Sequence, residues 1–265
     1  MSMFAVLGRH RALTLELTRR EILGRYRGAS FGMLWSLFSP FLMLMVYTLA
    51  FGFVMKGRWP GRAGESTYGF ALIVFVGLIV HGLFAECLTR SPTLIIGNTN
   101  LVKRVVFPLD VLVWSMALAA LFHLGMNTLV LLGLRLLVDG AVSPTAVFFP
   151  LVVFPLLVLT VGVGWIVSAL GVFFRDLGQV VGVIATAMLF LSSAIVPTES
   201  VPDKYRLAFE LNPLTFIIDQ ARAVLLWDRM PDWQGLAIYT VAAFAVAWLG
   251  HALFAKMQRG FADVL

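Results

Sequence analysis

Four groups of polar residues interrupt an otherwise apolar chain of 265 residues, and their types and spacing limit the chemistry open to it. The first lies in residues 91–110, SPTLIIGNTNLVKRVVFPLD, a basic break between two of the longest apolar stretches. Gly97, Asn98 and Asn100 carry turn and helix-cap chemistry, Leu101 to Phe107 have room for two helical turns, and Pro108 halts them. Lys103 and Arg104 are hydrated cations that stay in water, whereas Leu101, Val102, Val105, Val106 and Phe107 are too apolar for a bare loop. A short helix that docks on a soluble partner satisfies both demands, and so does a helix resting on lipid headgroups. The second group, Arg19, Arg20, Arg25 and Arg27, precedes the first apolar run and is placed to meet phosphates at a membrane surface. The third is Asp219 and Arg222, inside PLTFIIDQARAVLLW and just after a turn at Asn212 and Pro213. The fourth is the pair of isolated histidines His81 and His123; a lone histidine in an apolar run pairs with a backbone carbonyl or hydroxyl more often than it relays protons.

None of these groups is a catalytic constellation. The apolar runs hold no carboxylate pair, metal cluster or nucleophile with a base. Their interiors also lack Asp and Glu, the residues with which proton- and ion-coupled carriers bind and release a cation. One cysteine, Cys87, cannot form an intrachain disulfide, and the four histidines have no ligand spacing, so no metal or cofactor is expected. There is no GxxxxGK[ST] loop, so the chain does not bind ATP in the P-loop manner. Nothing in the sequence calls for nucleic acid.

Positioning these groups falls to membrane helices. Charged residues make up 13% of the chain and hydrophobic ones 60%, with a mean hydropathy of +0.92, which places it well outside soluble domains. An all-α polytopic fold with six spans follows, at residues 33–55, 68–88, 109–138, 146–174, 178–196 and 236–254. The second span ends at Glu86 and Cys87, and the small residues of GVGWIVSALG in the fourth permit close helix contact. Residues 1–32 read as an amphipathic interfacial helix with Phe4, Leu7, Arg11, Leu15, Thr18, Ile22 and Tyr26 along one face. A loop carrying Lys56, Arg58, Trp59 and Arg62 follows the first span, and residues 91–108 form the docking loop. Residues 197–235 hold two pieces too short to cross, the second with two charges at its centre, and so read as re-entrant helices. Most of the Lys and Arg residues fall on the side of the N-terminus, the docking loop, the turn at Arg175 and the tail, which makes that side cytoplasmic. Trp35, Trp59, Tyr68, Trp227 and Trp233 lie near span ends, as an interfacial belt does.

In order and spacing, REILGRYRGASFGMLWSLFSPF, NLVKRVVFPLDVL, FFRDLGQV, LNPLTFIIDQAR and the terminal FADVL resemble the permease subunit of bacterial polysaccharide-export ABC transporters across nearly the whole chain. The resemblance implies a homodimer in the bacterial inner membrane, joined to two copies of a separate cytoplasmic ATPase that binds ATP and magnesium. It implies an O-antigen, a capsular polysaccharide or a teichoic acid on a lipid carrier as the substrate, in contact with membrane lipids. Asn100, Leu101, Val102, Lys103, Arg104, Val105 and Phe107 match the coupling helix that docks on the ATPase, with Arg175 and Asp176 as a second, smaller contact. The helix carrying Arg19, Arg20, Arg25 and Arg27 matches the gate helix at which substrate enters. The stretch with Asn212, Pro213, Asp219 and Arg222 matches the periplasmic re-entrant helices. A drug or lipid permease of the same broad family is the alternative, and an intramembrane enzyme or scaffold is a third reading that the absence of catalytic groups disfavours.

Overall fold

The computed structural model describes residues 3–50, 67–103 and 107–265, and every regular element among them is helical. Helices α1 (Met3–Arg9) and α2 (Arg11–Tyr26) break at His10. They are followed by α3 (Trp35–Tyr47), which a 3-10 turn at Gly32–Leu34 leads into, α4 (Thr67–Leu94) and the single-turn α5 (Thr99–Val102). Next come α6 (Asp110–Asp139), α7 (Phe149–Phe173) with a 3-10 lead-in at Pro144–Phe148, and α8 (Leu177–Phe190). The chain closes with α9 (Asp203–Glu210), α10 (Pro213–Leu226), α11 (Trp233–Met257) and α12 (Phe261–Val264). The predicted loop residues Lys56, Arg58, Trp59 and Arg62 lie outside the described residues.

Among the described residues, five helical stretches are long and apolar enough to cross a bilayer: Gly32–Ala50, Tyr68–Leu94, Asp110–Asp139, Pro144–Phe173 and Trp233–Val264. The expected fifth of six spans, 178–196, is the exception. Its helix α8 has 14 residues, about 21 Å against a hydrocarbon core of about 30 Å, and Leu191 to Val196 continue as turns. The stop has a local cause. Asn212 Nδ2 donates to Met188 O and Leu191 O, both at 2.9 Å, and Ser192 Oγ donates to Leu189 O at 2.9 Å, so side chains take the carbonyls that another helical turn would use. The second span errs in the other direction. Helix α4 runs through Pro92 to Leu94, so the first four residues of the predicted break are helical, and Ser91 is buried with its hydroxyl on Cys87 O at 2.6 Å.

The helix α7 is the centre of the bundle and packs against α4, α6, α10 and α11. Glycines make this possible. A Cβ at Gly162 would lie 2.6 Å from Ala247 Cα, one at Gly250 would strike the Gly162 carbonyl, and one at Gly171 would strike the backbone of Pro92. Gly162 and Gly171 belong to GVGWIVSALG, which the sequence marks for close contact, whereas Gly250 carries no such mark; Gly162 and Gly250 let α7 and α11 touch backbone to backbone. Trp165, fully buried on α7, sits edge-on to Trp114 of α6 and His251 of α11, with ring centroids 5.9 and 4.9 Å away.

The packing sorts the loops to two ends. Gly171 rests on Pro92, Phe173 meets Phe261 of the tail, and His251 faces Asp110 at 3.5 Å, so the docking segment, the Arg175 turn and the C-terminal tail share one end. Helix α1 packs on α6 and α11. The other end holds α10, fastened to the start of α4 through Ile73 and to the end of α6 through Arg135.

Alanine at Gly250 should therefore force α7 and α11 apart, because the obstacle is backbone that no rotamer change relieves; overpacking of this kind costs about 1–3 kcal/mol. Thermal unfolding of the purified protein should show a lower Tm for Gly250→Ala. Gly133→Ala, on an open face of α6, should leave Tm unchanged or raise it.

Candidate functional site

A cleft of about 930 Å³ opens between α2, α3, α4 and α6. Its wall changes character along its length. Tyr47, Phe75, Ile79 and Leu83 make one part apolar, while Arg20, Glu21, Arg25, Glu86 and Arg90 make the other charged. Helices place the charges by simple spacing: Glu21 and Arg25 are one turn apart on α2, and Glu86 and Arg90 one turn apart on α4. Arg25 Nη1 donates to Glu86 Oε1 at 2.8 Å, Arg90 Nη1 reaches the same oxygen at 3.4 Å, and Arg90 Nη2 pairs with Glu21 Oε2. His123 of α6 completes the group, with Nδ1 3.1 Å from Glu86 Oε2 and 3.0 Å from Arg25 Nη1. A single ring nitrogen cannot donate to the carboxylate and accept from the guanidinium at once. His123 Nε2 is buried with no hydrogen-bond partner among the described residues. The neighbouring Tyr26 has its pKa raised above the ordinary phenol value, chiefly by burial, with the Arg25 charge opposing.

Of the four arginines singled out from the sequence, Arg20 and Arg25 line this cleft, while Arg19 and Arg27 are exposed and do not. The packed face of α2 also differs from the predicted stripe. Thr18 of that stripe is buried, but Thr14 and Leu17 outside it are buried too and Leu15 is 63% exposed, because the neighbour is α6. Thr14 and Thr18 return their hydroxyls to carbonyls four residues back, at His10 and Thr14, so they enter the contact with their polar atoms already satisfied. Glu21, Glu86, Arg90 and His123 were not legible as one site. The available signal was the two i,i+4 acid–base pairs, which sequence spacing alone cannot bring together. His81 behaves as expected of an isolated histidine, with Nε2 donating to Ala185 O at 3.0 Å.

The docking segment is described in part. Its described helix is the single turn α5, which starts at Thr99 and not at Leu101, and Phe107 lies in irregular backbone. Arg104 and Val105 fall outside the described residues. Asn98 caps the preceding helix instead of α5, with Nδ2 donating to Leu94 O at 2.9 Å. Asn100 and Lys103 are exposed, while Leu101, Val102 and Phe107 are half-buried against the bundle. Arg175 and Asp176 are exposed at the same end, and Asp176 is the N-cap residue of α8 without a side-chain cap bond.

At the opposite end Asn212 and Pro213 form the turn that the sequence marks. Asn212 is buried and bonded three ways: its amide to α8 as above, and its Oδ1 accepting from Leu214 N at 3.0 Å. Helix α10 is mostly buried in protein, although the Asp219 side chain remains partly exposed. Arg222 is fully buried. Its Nε donates to Ile73 O at 3.0 Å, Nη2 to Ala194 O at 2.9 Å, and Nη1 meets Asp219 Oδ1 at 3.4 Å. Gly77 makes room for this, since a Cβ there would sit 2.7 Å from Ala194 Cα and 3.0 Å from Arg222 Nη2. The C-terminal carbonyls of α10 are also satisfied, Val224 by Thr145 Oγ1 at 2.8 Å and Leu225 by Arg135 Nη1 at 2.7 Å.

A polytopic all-α body with one loop-bearing end, one capped end and a two-faced cleft between α2 and the spans is the build of a membrane transport subunit. The chain belongs to the ABC-2 type transporter family, whose model matches residues 12–226. It is accordingly a transport subunit and not an enzyme, and ATP hydrolysis belongs to a partner. It is 27% identical over 259 residues to the O-antigen export system permease protein RfbA of Myxococcus xanthus, covering 97% of this chain and 96% of that one. It is 26% identical over 251 residues to the polysialic acid transport protein KpsM of Escherichia coli, with 93% and 94% covered. The capsule polysaccharide export inner-membrane protein CtrC of Neisseria meningitidis is 21% identical over 246 residues, with 92% and 90% covered.

Arg222 generates a prediction of its own. Arg222→Gln strands the Ile73 or the Ala194 carbonyl in the bundle, and leaving a buried acceptor unmade costs about 1–3 kcal/mol. The expected result is a lower Tm together with faster reaction of a cysteine placed at Ala194 in a Cys87→Ser background.

Proposed function

We propose that this chain is the membrane-spanning subunit of an ATP-driven exporter that moves a lipid-linked polysaccharide across the bacterial cytoplasmic membrane. The polysaccharide is an O-antigen or a capsular polysaccharide, ahead of a teichoic acid. The observation that carries this reading is the end-to-end match to relatives named for O-antigen, polysialic acid and capsule polysaccharide export. The cleft supports it independently of those names. Its arginines suit a phosphate and its apolar wall suits a hydrocarbon chain, the two parts of a phosphate-linked lipid carrier. The runner-up, a drug or lipid exporter, shares the fold but has less use for a basic helix beside an amphipathic cleft.

In this reading two copies of the chain form a homodimer and bind two copies of a cytoplasmic ABC ATPase. The N-terminus, the docking segment, the Arg175 turn and the C-terminus face the cytoplasm. Residues 1–32 serve as the interfacial gate helix, with Arg25 and Arg20 at the entry and Arg19 and Arg27 toward the headgroups. Asn100, Leu101, Val102, Lys103, Arg104, Val105 and Phe107 form the principal ATPase contact, with Arg175 and Asp176 beside them. Helix α8 and the turns after it make the fifth of six crossings. Helices α9 and α10, with Asn212, Pro213, Asp219 and Arg222, enter from the periplasm and leave on the same side, at the exit of the path.

Two experiments test this arrangement. Charge reversal at both Lys103 and Arg104 to Glu should reduce co-purification with the ATPase or uncouple hydrolysis from export; normal export with full complex yield removes the coupling assignment. Separately, Asp203→Cys and Asp232→Cys, each in a Cys87→Ser background, should both react with an impermeant thiol reagent added from the periplasmic side. Labelling of position 203 from outside and position 232 only from the cytoplasm would make the segment a true crossing.

A further inference from the structure

The charged end of the cleft is already occupied by the chain's own carboxylates. Arg25 and Arg90 converge on one oxygen of Glu86, at 2.8 and 3.4 Å. They are the two guanidinium groups best placed to bind a phosphate there. Arg25 is half-exposed, at 53%, and projects from a helix outside the main bundle, whereas the Glu86 side chain is 18% exposed on a central span. The other Glu86 oxygen lies 3.1 Å from His123 Nδ1, a group that can hold the carboxylate without either arginine. His123 Nδ1 in turn stands between two competing neighbours, Glu86 Oε2 and Arg25 Nη1. The cluster therefore offers two arrangements of the same groups: Glu86 shared between the arginines and His123, as here, or the arginines free and Glu86 held by His123 alone.

We propose that Glu86 is a resident counter-anion of the cleft, holding Arg25 and Arg90 until the diphosphate head of an amphiphile takes the arginines and leaves Glu86 on His123 alone. This rests on the reading of the cleft as the entry point for a phosphate-linked carrier and assigns the residues that gate it. The empty cleft keeps its arginines paired and ordered instead of collecting bulk anions. An incoming diphosphate brings more charge than one carboxylate and bonds both guanidinium groups bidentately, so it wins the exchange while Glu86 sets a threshold against weaker anions. Once Glu86 leaves Arg25, the remaining ion pair between α2 and α4 is Arg90–Glu21, for whose guanidinium the same diphosphate competes, so the arrival of the ligand loosens α2 against α4.

The test measures equilibrium binding of radiolabelled farnesyl diphosphate to the full-length chain in detergent, with inorganic pyrophosphate and dihexanoyl phosphatidylglycerol as competitors. Glu86→Gln removes the competing charge at constant size and should tighten binding about fivefold, the scale of one partly exposed ion pair. Arg25→Gln and Arg90→Gln should each weaken it by a similar factor. Glu86→Asp, which keeps the charge but draws it back by one methylene, should tighten it less and serves if Glu86→Gln fails to fold. Weaker binding by the arginine variants with no gain in either Glu86 variant overturns the counter-anion role and leaves the entry reading standing. Unchanged binding in all variants, or none in the wild type, removes the entry reading and this proposal together. Competition by pyrophosphate assigns the site to the diphosphate, whereas competition by phosphatidylglycerol alone makes ordinary bilayer lipid the occupant and overturns the assignment.

Discussion

Every backbone group that leaves helical geometry inside this bundle has to find a partner within the protein, and that demand organises the end of the molecule opposite the docking segment. Between Leu191 and Pro213 the chain leaves helical geometry several times, and where these turns are buried an orphaned carbonyl is costly. Two side chains meet most of the demand. Asn212 ends α8 and starts α10 with three hydrogen bonds, and Arg222 collects carbonyls from α4 and from the turn at Ala194. A guanidinium suits the second task because its donors fan out in a fixed plane and reach two chain segments at once. Its desolvation is offset by those bonds and by Asp219. The charge that makes PLTFIIDQARAVLLW a poor crossing is thus the group that fastens it in place.

Close packing at the centre follows a different rule. Along α7 and α11 the glycines bring main chains together, and contact there depends on what the side chains lack. Larger residues next to them, Trp165 and Trp114 above all, fill the space that the tight crossing leaves to either side. The cleft between α2 and α4 lies outside this dense region. Its walls are joined by ion pairs whose members are partly exposed, and such pairs are weak individually. The molecule therefore has a rigid middle and a loosely fastened flank, and the flank carries the arginines.

Long apolar runs made α4, α6, α7 and α11 legible in the sequence, since a stretch of that length without charge has few other fates. The short pair α9 and α10 was legible for the opposite reason, its length and its charges. What escaped was set by neighbours. No local signal says that α4 continues through Pro92, because the reason is Gly171 lying on it. None stops α8 at Phe190, because the cap is Asn212, more than twenty residues further on. An apolar stripe on α2 fits lipid on one side and water on the other, but the partner is α6, met through Thr14, Leu17 and Thr18. His123 shows the limit most clearly: alone in an apolar run it resembles His81, and only the fold puts Glu86 beside one and a carbonyl beside the other.

The brevity of α8 has a mechanical side. A helix of 14 residues falls about 9 Å short of an average hydrocarbon core, and Val180, Val183 and Ile184 on it remain uncovered by the rest of the chain. Hydrophobic mismatch of this size is relieved by a locally thinner bilayer or by protein taking the place of lipid. In the proposed six-span arrangement the apolar barrier is thinnest along this flank, whether lipid or protein makes up the difference.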